Sequence, residues 1–144
     1  MTHEDAGHYS AKHAPGSTVD PAVAKAIEEK ASEGGITCAA AHKIAEAFSL
    51  DPLEVGKSLD LMEVRILKCQ LGLFGYKPEK RIIKPAPHVP PALAERIHKA
   101  APGGRIACRS VWEIASQFGI TRLEAAAACE ALDLKIAPCQ LGAF

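Results

Sequence analysis

ITCAAAHKIAEAFSLDPLEVGKSLDLMEVRI (residues 36–66) is followed seventy residues later by IACRSVWEIASQFGITRLEAAAACEALDLKI (residues 106–136). Both stretches contain an Ile-Ala pair, a phenylalanine, a Leu-Glu pair and an isoleucine at the same spacing. Sliding the chain against itself by 70 residues extends the match to residues 21–74 and 91–144 without a gap, and 19 of the 54 aligned pairs are identical. The sequence therefore predicts a tandem duplication, in which the tetrapeptide CQLG lies near the end of each repeat.

The duplication divides the 144-residue chain into four predicted segments. Residues 1–20 are a tail with three histidines, interpreted as disordered or loosely docked. Residues 21–74 are the first repeat, residues 75–90 a basic connector with several prolines, and residues 91–144 the second repeat. Because each repeat alone is close to the lower size limit for an independent core, we expect the two to share an interface and a pseudo-twofold relationship.

Each repeat is predicted to form three helices and one short strand. The first helix begins at Pro21 after the N-cap Asp20, or at Pro91, and is stopped by Gly34/Gly35 or Gly103/Gly104. The second helix has an apolar stripe that should face a core: Ala41, Ile44, Ala45 and Phe48 in one copy, Val111, Ile114, Ala115 and Phe118 in the other. The third helix begins after Asp51 in DPLE, or with the capping-box pair Thr121 and Glu124 in TRLE.

Short apolar runs follow the third helix in both repeats. VRILKCQL (64–71) and LKIAPCQL (134–141) have the length of strands, although Pro138 restricts the second to an edge or an interrupted strand. KRIIK (80–84) in the connector has the alternation of a third strand. The predicted fold class is therefore mainly α with a small amount of strand.

Two amphipathic helices joined by a tight turn, a capped third helix and an apolar strand resemble the helix-turn-helix superfamily, and more specifically winged-helix domains. The resemblance covers residues 36–66 and 106–136. It implies a pair of winged-helix-like modules and DNA binding, with the third helix entering the DNA groove.

The charges on the third helices disagree with DNA binding. Residues 51–63 contain four acidic side chains against Lys57 alone, and residues 121–134 contain three against Arg122 alone. Such helices would be repelled by a polyanion and offer little base recognition. We therefore expect a non-enzymatic regulatory or adaptor protein that binds mainly protein partners, with a DNA-binding transcriptional regulator as the alternative.

If nucleic acid is bound, the basic residues of the connector should contact it. They are the most concentrated cations of the chain and could hold a phosphate backbone without recognising bases. The candidate nucleic-acid contacts are Lys77, Lys80, Arg81 and Lys84 in the connector, with Arg65 and Lys68 on the first strand.

Four cysteines recur between the repeats, as Cys38/Cys108 and Cys69/Cys139. Four thiols would suffice for a metal site, which makes a metal or thiol-redox sensor the second alternative. No C-x2-C ligand pair occurs, however, and free cysteine is commonly a small buried apolar residue, so a core role is expected. Cys129 aligns with Leu59, which indicates a position that needs only an apolar group.

The recurring CQLG is interpreted as a clasp between the repeats, in which apolar side chains fill the seam. The residues assigned to this clasp are Cys69, Leu71, Phe74, Cys139, Leu141 and Phe144. If Leu71, Phe74, Leu141 and Phe144 were exposed and far from the other repeat, the clasp hypothesis would be wrong.

The remaining expectations concern what the sequence lacks. It has no Gly-rich phosphate loop and no paired nucleophile and base, so neither an enzyme nor a cofactor is expected. The polar start lacks the apolar core of a signal peptide, and no apolar run reaches membrane-spanning length, which predicts a cytoplasmic protein without a membrane partner. A second copy of the chain is left open as a partner.

Overall fold

The computed structural model describes residues 8–144 and shows a helical protein with a few short strands. The chain divides into two compact units. Unit 1 takes in the chain as far as Cys69 together with Gln140–Phe144, and unit 2 is Gln70–Cys139. Most of the second CQLG therefore belongs to the unit that contains the helices of the first repeat, and most of the first CQLG belongs to the other unit. The part of the predicted tail before His8 lies outside the described residues.

Unit 1 contains three α-helices: α1 (Pro21–Lys30), α2 (Cys38–Ala47) and α3 (Pro52–Leu61). The predicted N-caps of α1 and α3 are confirmed, since the carboxylates of Asp20 and Asp51 accept backbone N–H groups of the first turn. Thr37 caps α2 in the same manner. These side chains satisfy N–H groups that have no partner within the helix.

Two short parallel strands accompany these helices: β1 (Gly35–Thr37) and β2 (Arg65–Leu67), with Ile36 opposite Ile66. Parallel neighbours require a crossover connection, which α2 and α3 provide. The prediction of one strand per repeat is wrong, since β1 pairs with β2 in the same unit. β1 was not predicted because it has only three residues and no alternating pattern.

Unit 2 contains the corresponding elements of the second repeat: α4 (Pro91–Lys99), β3 (Arg105–Ile106), α5 (Cys108–Phe118), α6 (Arg122–Ala131) and β4 (Lys135–Ile136). β3 and β4 pair in parallel, with Ile106 opposite Ile136. The predicted capping box is confirmed: Thr121 accepts the amide of Glu124, whose carboxylate accepts the amide of Thr121.

Several predicted boundaries are too long. α1 and α4 end four residues before the first of the glycines expected to stop them, and β2 and β4 end before the cysteines of CQLG. The predicted strand at residues 80–84 is absent, apart from an isolated bridge between Tyr76 and Lys80. The amides of Ile82 and Ile83 both donate to the carbonyl of Gly72, a pattern that no regular strand ladder provides.

The core of each unit is formed by equivalent residues. Ile27, Ile36 and Ile44 are buried in unit 1, and Ile97, Ile106 and Ile114 are buried in unit 2. The predicted stripes of α2 and α5 face these cores except at their last positions: Phe48 and Phe118 are each 38% exposed. These phenylalanines lie at the ends of their helices, where the chain turns away. In the described part of the chain no helix has the length and apolarity to span a membrane.

Candidate functional site

The third helix of unit 1 is buried on two adjacent faces. Val55 and Leu59 are fully buried, and the neighbouring stripe of Gly56 and Asp60 is buried as well. A Cβ atom added to Gly56 would overlap the backbone carbonyl of Leu141. The segment Gln140–Phe144 therefore lies directly on α3, at a distance that only glycine permits.

The third helix of unit 2 contacts the first CQLG. A Cβ atom on Gly72 would lie 3.0 Å from Cδ2 of Leu123, and one on Gly142 would lie 3.0 Å from Cδ1 of Leu53 in unit 1. Gly72 and Gly142 thus contact equivalent leucines, each the second residue of its third helix. Leu71 and Leu141 are almost completely buried. Of the other residues assigned to the clasp, Cys69 is buried, Phe74 and Cys139 are partly buried, and Phe144 is 39% exposed.

The only cation of α6 is engaged in contacts within unit 2. Arg122 donates to Oε1 of Gln70 over 3.2 Å, and its guanidinium lies 3.5 Å from the centroid of the Trp112 ring. A guanidinium stacked on an aromatic ring and hydrogen-bonded to an amide is already satisfied. A DNA-recognition role for α6 would have to break both contacts.

The predicted nucleic-acid contacts are distributed over both units. Lys77, Lys80 and Lys84 are exposed along one segment of unit 2, while the exposed Arg65 and Lys68 belong to unit 1. Arg81 forms an ion pair with Glu130 of α6. Three of the four connector cations therefore have exposed side chains, and the fourth is paired with a carboxylate.

A contact that the sequence did not predict joins residues 9–13, here called the arm, to unit 1. The arm begins with a single turn of 3-10 helix (Tyr9–Lys12) that packs on α3. Nε2 of His13 lies 2.8 Å from Oδ2 of Asp60, and Nζ of Lys12 lies 3.3 Å from the same oxygen. The amides of Tyr9 and Ser10 donate to the carboxylate of Glu63.

Four large apolar side chains are exposed at equivalent places in the two units. Phe48 and Leu53 lie on either side of the turn between α2 and α3, with 38% and 56% exposure. Phe118 and Leu123 occupy the same positions between α5 and α6, with 38% and 41% exposure. Their identity at an offset of 70 was visible in the sequence, but helical periodicity placed the phenylalanines in the core.

The recurring cysteines occupy matching positions. Cys38 and Cys108 are the first residues of α2 and α5, and both are buried. Among residues 8–144, no three His, Cys, Asp or Glu side chains come close enough together to hold a metal ion. Burial raises the pKa of the Cys129 thiol from 9.0 to about 11, so that this thiol stays protonated at neutral pH.

A surface cavity of about 220 Å³ lies beside α1 and α3 in unit 1. Its polar lining residues are Thr18, Asp20, Glu54, Lys57 and Ser58, and its lining contains no histidine or cysteine. A lysine and a serine without a positioned base do not form a nucleophilic site. The cavity therefore offers no specific chemistry.

No protein-family model, curated protein or solved structure matches this chain. The helix-turn-helix resemblance accordingly stays a prediction.

Proposed function

We propose that this chain is a non-catalytic adaptor or regulatory protein, built on two duplicated helix-turn-helix modules, that docks on protein partners. The observation that supports this best is the repeated exposure of Phe48 and Leu53 in unit 1 and of Phe118 and Leu123 in unit 2. We call each pair a docking patch. Exposed apolar groups that recur at one place in two copies of a module are typical of protein contacts, where aromatic side chains supply much of the binding energy.

The surroundings of the two docking patches differ in charge. Glu46, Asp51 and Glu54 are exposed near the patch of unit 1, whereas Gln117, Thr121 and Glu124 are exposed near that of unit 2. The first patch therefore suits a partner with apolar side chains flanked by basic residues, since complementary charge favours association. The second suits a more neutral surface.

The contacts of the third helices favour protein docking over the alternative of a DNA-binding regulator. A recognition helix must present one whole face to the major groove. In unit 1 the face of α3 that contains Gly56 packs against the backbone of Leu141. In unit 2 Arg122 is held by Gln70 and Trp112. The exposed Lys77, Lys80 and Lys84 still suit contact with a phosphate backbone, and a salt titration separates the two functions.

Partner capture with matched variants tests the docking patches. The immobilised parent chain and its Lys43→Glu control should capture the same protein from an extract of the source cells, because Lys43 is exposed on α2 outside the patch. The double variant Leu53→Glu/Leu123→Glu should recover at least about tenfold less, since charge in an apolar contact loses more than 1.4 kcal/mol. Equal recovery by the double variant and the parent would refute docking through these patches.

The metal or thiol-sensor alternative predicts a different result. Protein purified without a His tag should then contain a stoichiometric metal, or its thermal melt should shift with chelator. We expect neither, because Cys38, Cys69 and Cys108 are buried as small apolar side chains commonly are, and no cluster of three possible ligands occurs among residues 8–144.

A further inference from the structure

The arm contacts a site in unit 1 that is built around a buried carboxylate. The side chain of Asp60 is only 3% exposed, and its Oδ2 faces both Lys12 and His13. Its Oδ1 is buried and has no hydrogen-bond partner among the described residues. A buried carboxylate without a nearby cation is strongly unfavourable, so this site requires a basic ligand.

Glu63 adds a second recognition element to the same site. Its two carboxylate oxygens accept the amides of Tyr9 and Ser10, over 2.9 Å and 3.2 Å. Contacts to main-chain amides fix the direction of a bound segment without depending on its side chains. Tyr9 itself is only 4% exposed, so the aromatic ring is the apolar anchor of the arm.

The arm site consists of Asp60, Glu63 and the carbonyl of Gly142. This carbonyl accepts a hydrogen bond from Nζ of Lys12. The ligand specification of the arm site follows from these contacts. The ligand needs an aromatic residue that is buried as Tyr9 is and whose amide donates to Glu63. It also needs basic residues three and four positions later that reach Asp60, as Lys12 and His13 do.

The equivalent carboxylate of unit 2 is covered in a different way. Glu130 lies seventy residues after Asp60 and pairs with Arg81 of the connector. That segment is also fixed by backbone hydrogen bonds, from Ile82 and Ile83 to Gly72 and from Ala86 to Ala127. In the part of the chain that the structure describes, no backbone-to-backbone hydrogen bond joins residues 9–13 to the helices or strands of unit 1 or to residues 140–144. The arm is therefore held mainly through the side chains of Asp60 and Glu63, whereas the connector is also held through its backbone.

We propose that the arm site is a peptide-binding site that residues 9–13 occupy as an internal ligand. Its external ligand is a partner segment of the same chemistry: an aromatic residue followed, three and four positions later, by two basic residues. Such a segment displaces the arm and takes over the contacts to Asp60 and Glu63. This inference rests on the proposed protein-docking function, but it concerns a different surface from the docking patches.

A labelled peptide of residues 8–17 (HYSAKHAPGS) is the direct probe, with binding to the full chain measured by fluorescence anisotropy. In the parent chain the internal arm competes with the peptide. The variant Tyr9→Ser/Lys12→Ala/His13→Ala weakens the arm and leaves the site intact, so we expect at least ~tenfold tighter peptide binding than in the parent chain. Adding Asp60→Asn to that variant should abolish the gain, because it removes the charge with little change of shape.

Controls separate peptide binding from altered folding. Arg81→Ala disrupts the equivalent ion pair in unit 2 and should leave peptide affinity unchanged. A peptide of the same composition in scrambled order should bind no variant, and thermal melts should show that each variant is folded. If the variant with Asp60→Asn fails to fold, Glu63→Gln is used in its place. This substitution weakens the hydrogen bonds that the amides of Tyr9 and Ser10 donate to the carboxylate in the same site.

Three results would overturn the proposal. The arm variant could bind the peptide no more tightly than the parent, the gain could persist with Asp60→Asn, or the arm could exchange between two copies, seen as a dimer in sedimentation. Any of these leaves capture through the docking patches unaffected, so that failure of this inference is distinguishable from failure of the proposed function.

Discussion

Ser49 and Gly119 occupy the same position of the turn between the second and third helices, and both have a positive φ, of 53° and 62°. This conformation favours glycine, and a residue with a Cβ atom loses roughly 1–2 kcal/mol by adopting it. The second repeat has the residue that suits the turn. The first repeat does not.

We therefore predict that Ser49→Gly raises the free energy of unfolding by about 0.5–1 kcal/mol, since the relief of strain is partly offset by the greater freedom of glycine in the unfolded chain. Gly119→Ala should lower it by about 1 kcal/mol. Urea denaturation of the two variants and the parent measures both changes. Changes of the same sign would show that the backbone conformation of this turn does not control its stability.

Burial of Cys129 makes a prediction about alkaline pH. Because burial raises the thiol pKa from 9.0 to about 11, the folded state keeps a proton that the unfolded chain loses earlier. Below about pH 8 this thiol does not affect stability, and between about pH 9 and 11 it lowers the free energy of unfolding by roughly 2–3 kcal/mol in total.

Cys129→Val removes this contribution and is the matched control, because lysines and tyrosines also titrate in that range. The parent should lose stability more steeply than the variant above about pH 9, as measured by urea denaturation at each pH. Parallel curves for the two proteins would contradict the raised pKa.

At the scale of elements, the contact between α3 and the segment Gln140–Phe144 depends on one glycine. In an exposed helix Gly→Ala stabilises by about 1 kcal/mol, but a Cβ at Gly56 would overlap the carbonyl of Leu141. We predict that Gly56→Ala lowers the free energy of unfolding by about 1–2 kcal/mol and exposes residues 140–144 to faster hydrogen exchange.

Ser58→Ala on the same helix is the control. It raises helix propensity without reaching Leu141, and we expect a change within about 0.5 kcal/mol and unaltered exchange at residues 140–144. If Gly56→Ala instead stabilised the protein and left exchange unchanged, the segment would not be packed on α3 in solution.

The helices could be predicted because their signals are local. Asp20, Asp51 and the Thr121/Glu124 capping box mark helix starts through contacts within four residues, and all are found where the sequence placed them. The contacts that could not be predicted join distant residues. Nothing near Asp60 in the sequence indicates that Lys12 and His13 contact it. The assignment of most of each CQLG to the unit of the other repeat depends on the path of the whole chain.

The same distinction explains the error at Phe48 and Phe118. Spacing of i+3, i+4 and i+7 assigns a side chain to a helix face, but whether that face is still covered at the helix end depends on the packing partner. Phe48 and Phe118 lie at the ends of their helices and are each 38% exposed. The candidate docking patches therefore lie where periodicity predicted core.

At the scale of the whole molecule, the distribution of cations separates protein docking from DNA binding. Arg81 is paired with Glu130 and Arg122 with Gln70 and Trp112, which leaves Lys77, Lys80 and Lys84 as the exposed cations of the connector. Three lysines can attract a duplex at low salt but cannot retain it at physiological salt, because each phosphate contact adds only about 0.9 to the logarithmic salt slope.

We predict that any binding to random duplex DNA, measured by anisotropy between about 50 and 200 mM salt, is weak and disappears towards the upper end. Changing Lys77, Lys80 and Lys84 together to alanine should remove what binding there is and flatten the salt slope by up to about 3, whereas changing Arg65 and Lys68 in unit 1 should have less effect. The helix variant Lys57→Ala/Arg122→Ala should leave the slope unchanged, since the third helices are acidic and Arg122 is held by Gln70 and Trp112. If that variant caused the larger loss, or if the parent retained duplex tightly at physiological salt, the third helices would recognise DNA after all and the protein-docking proposal would give way to a DNA-binding regulator.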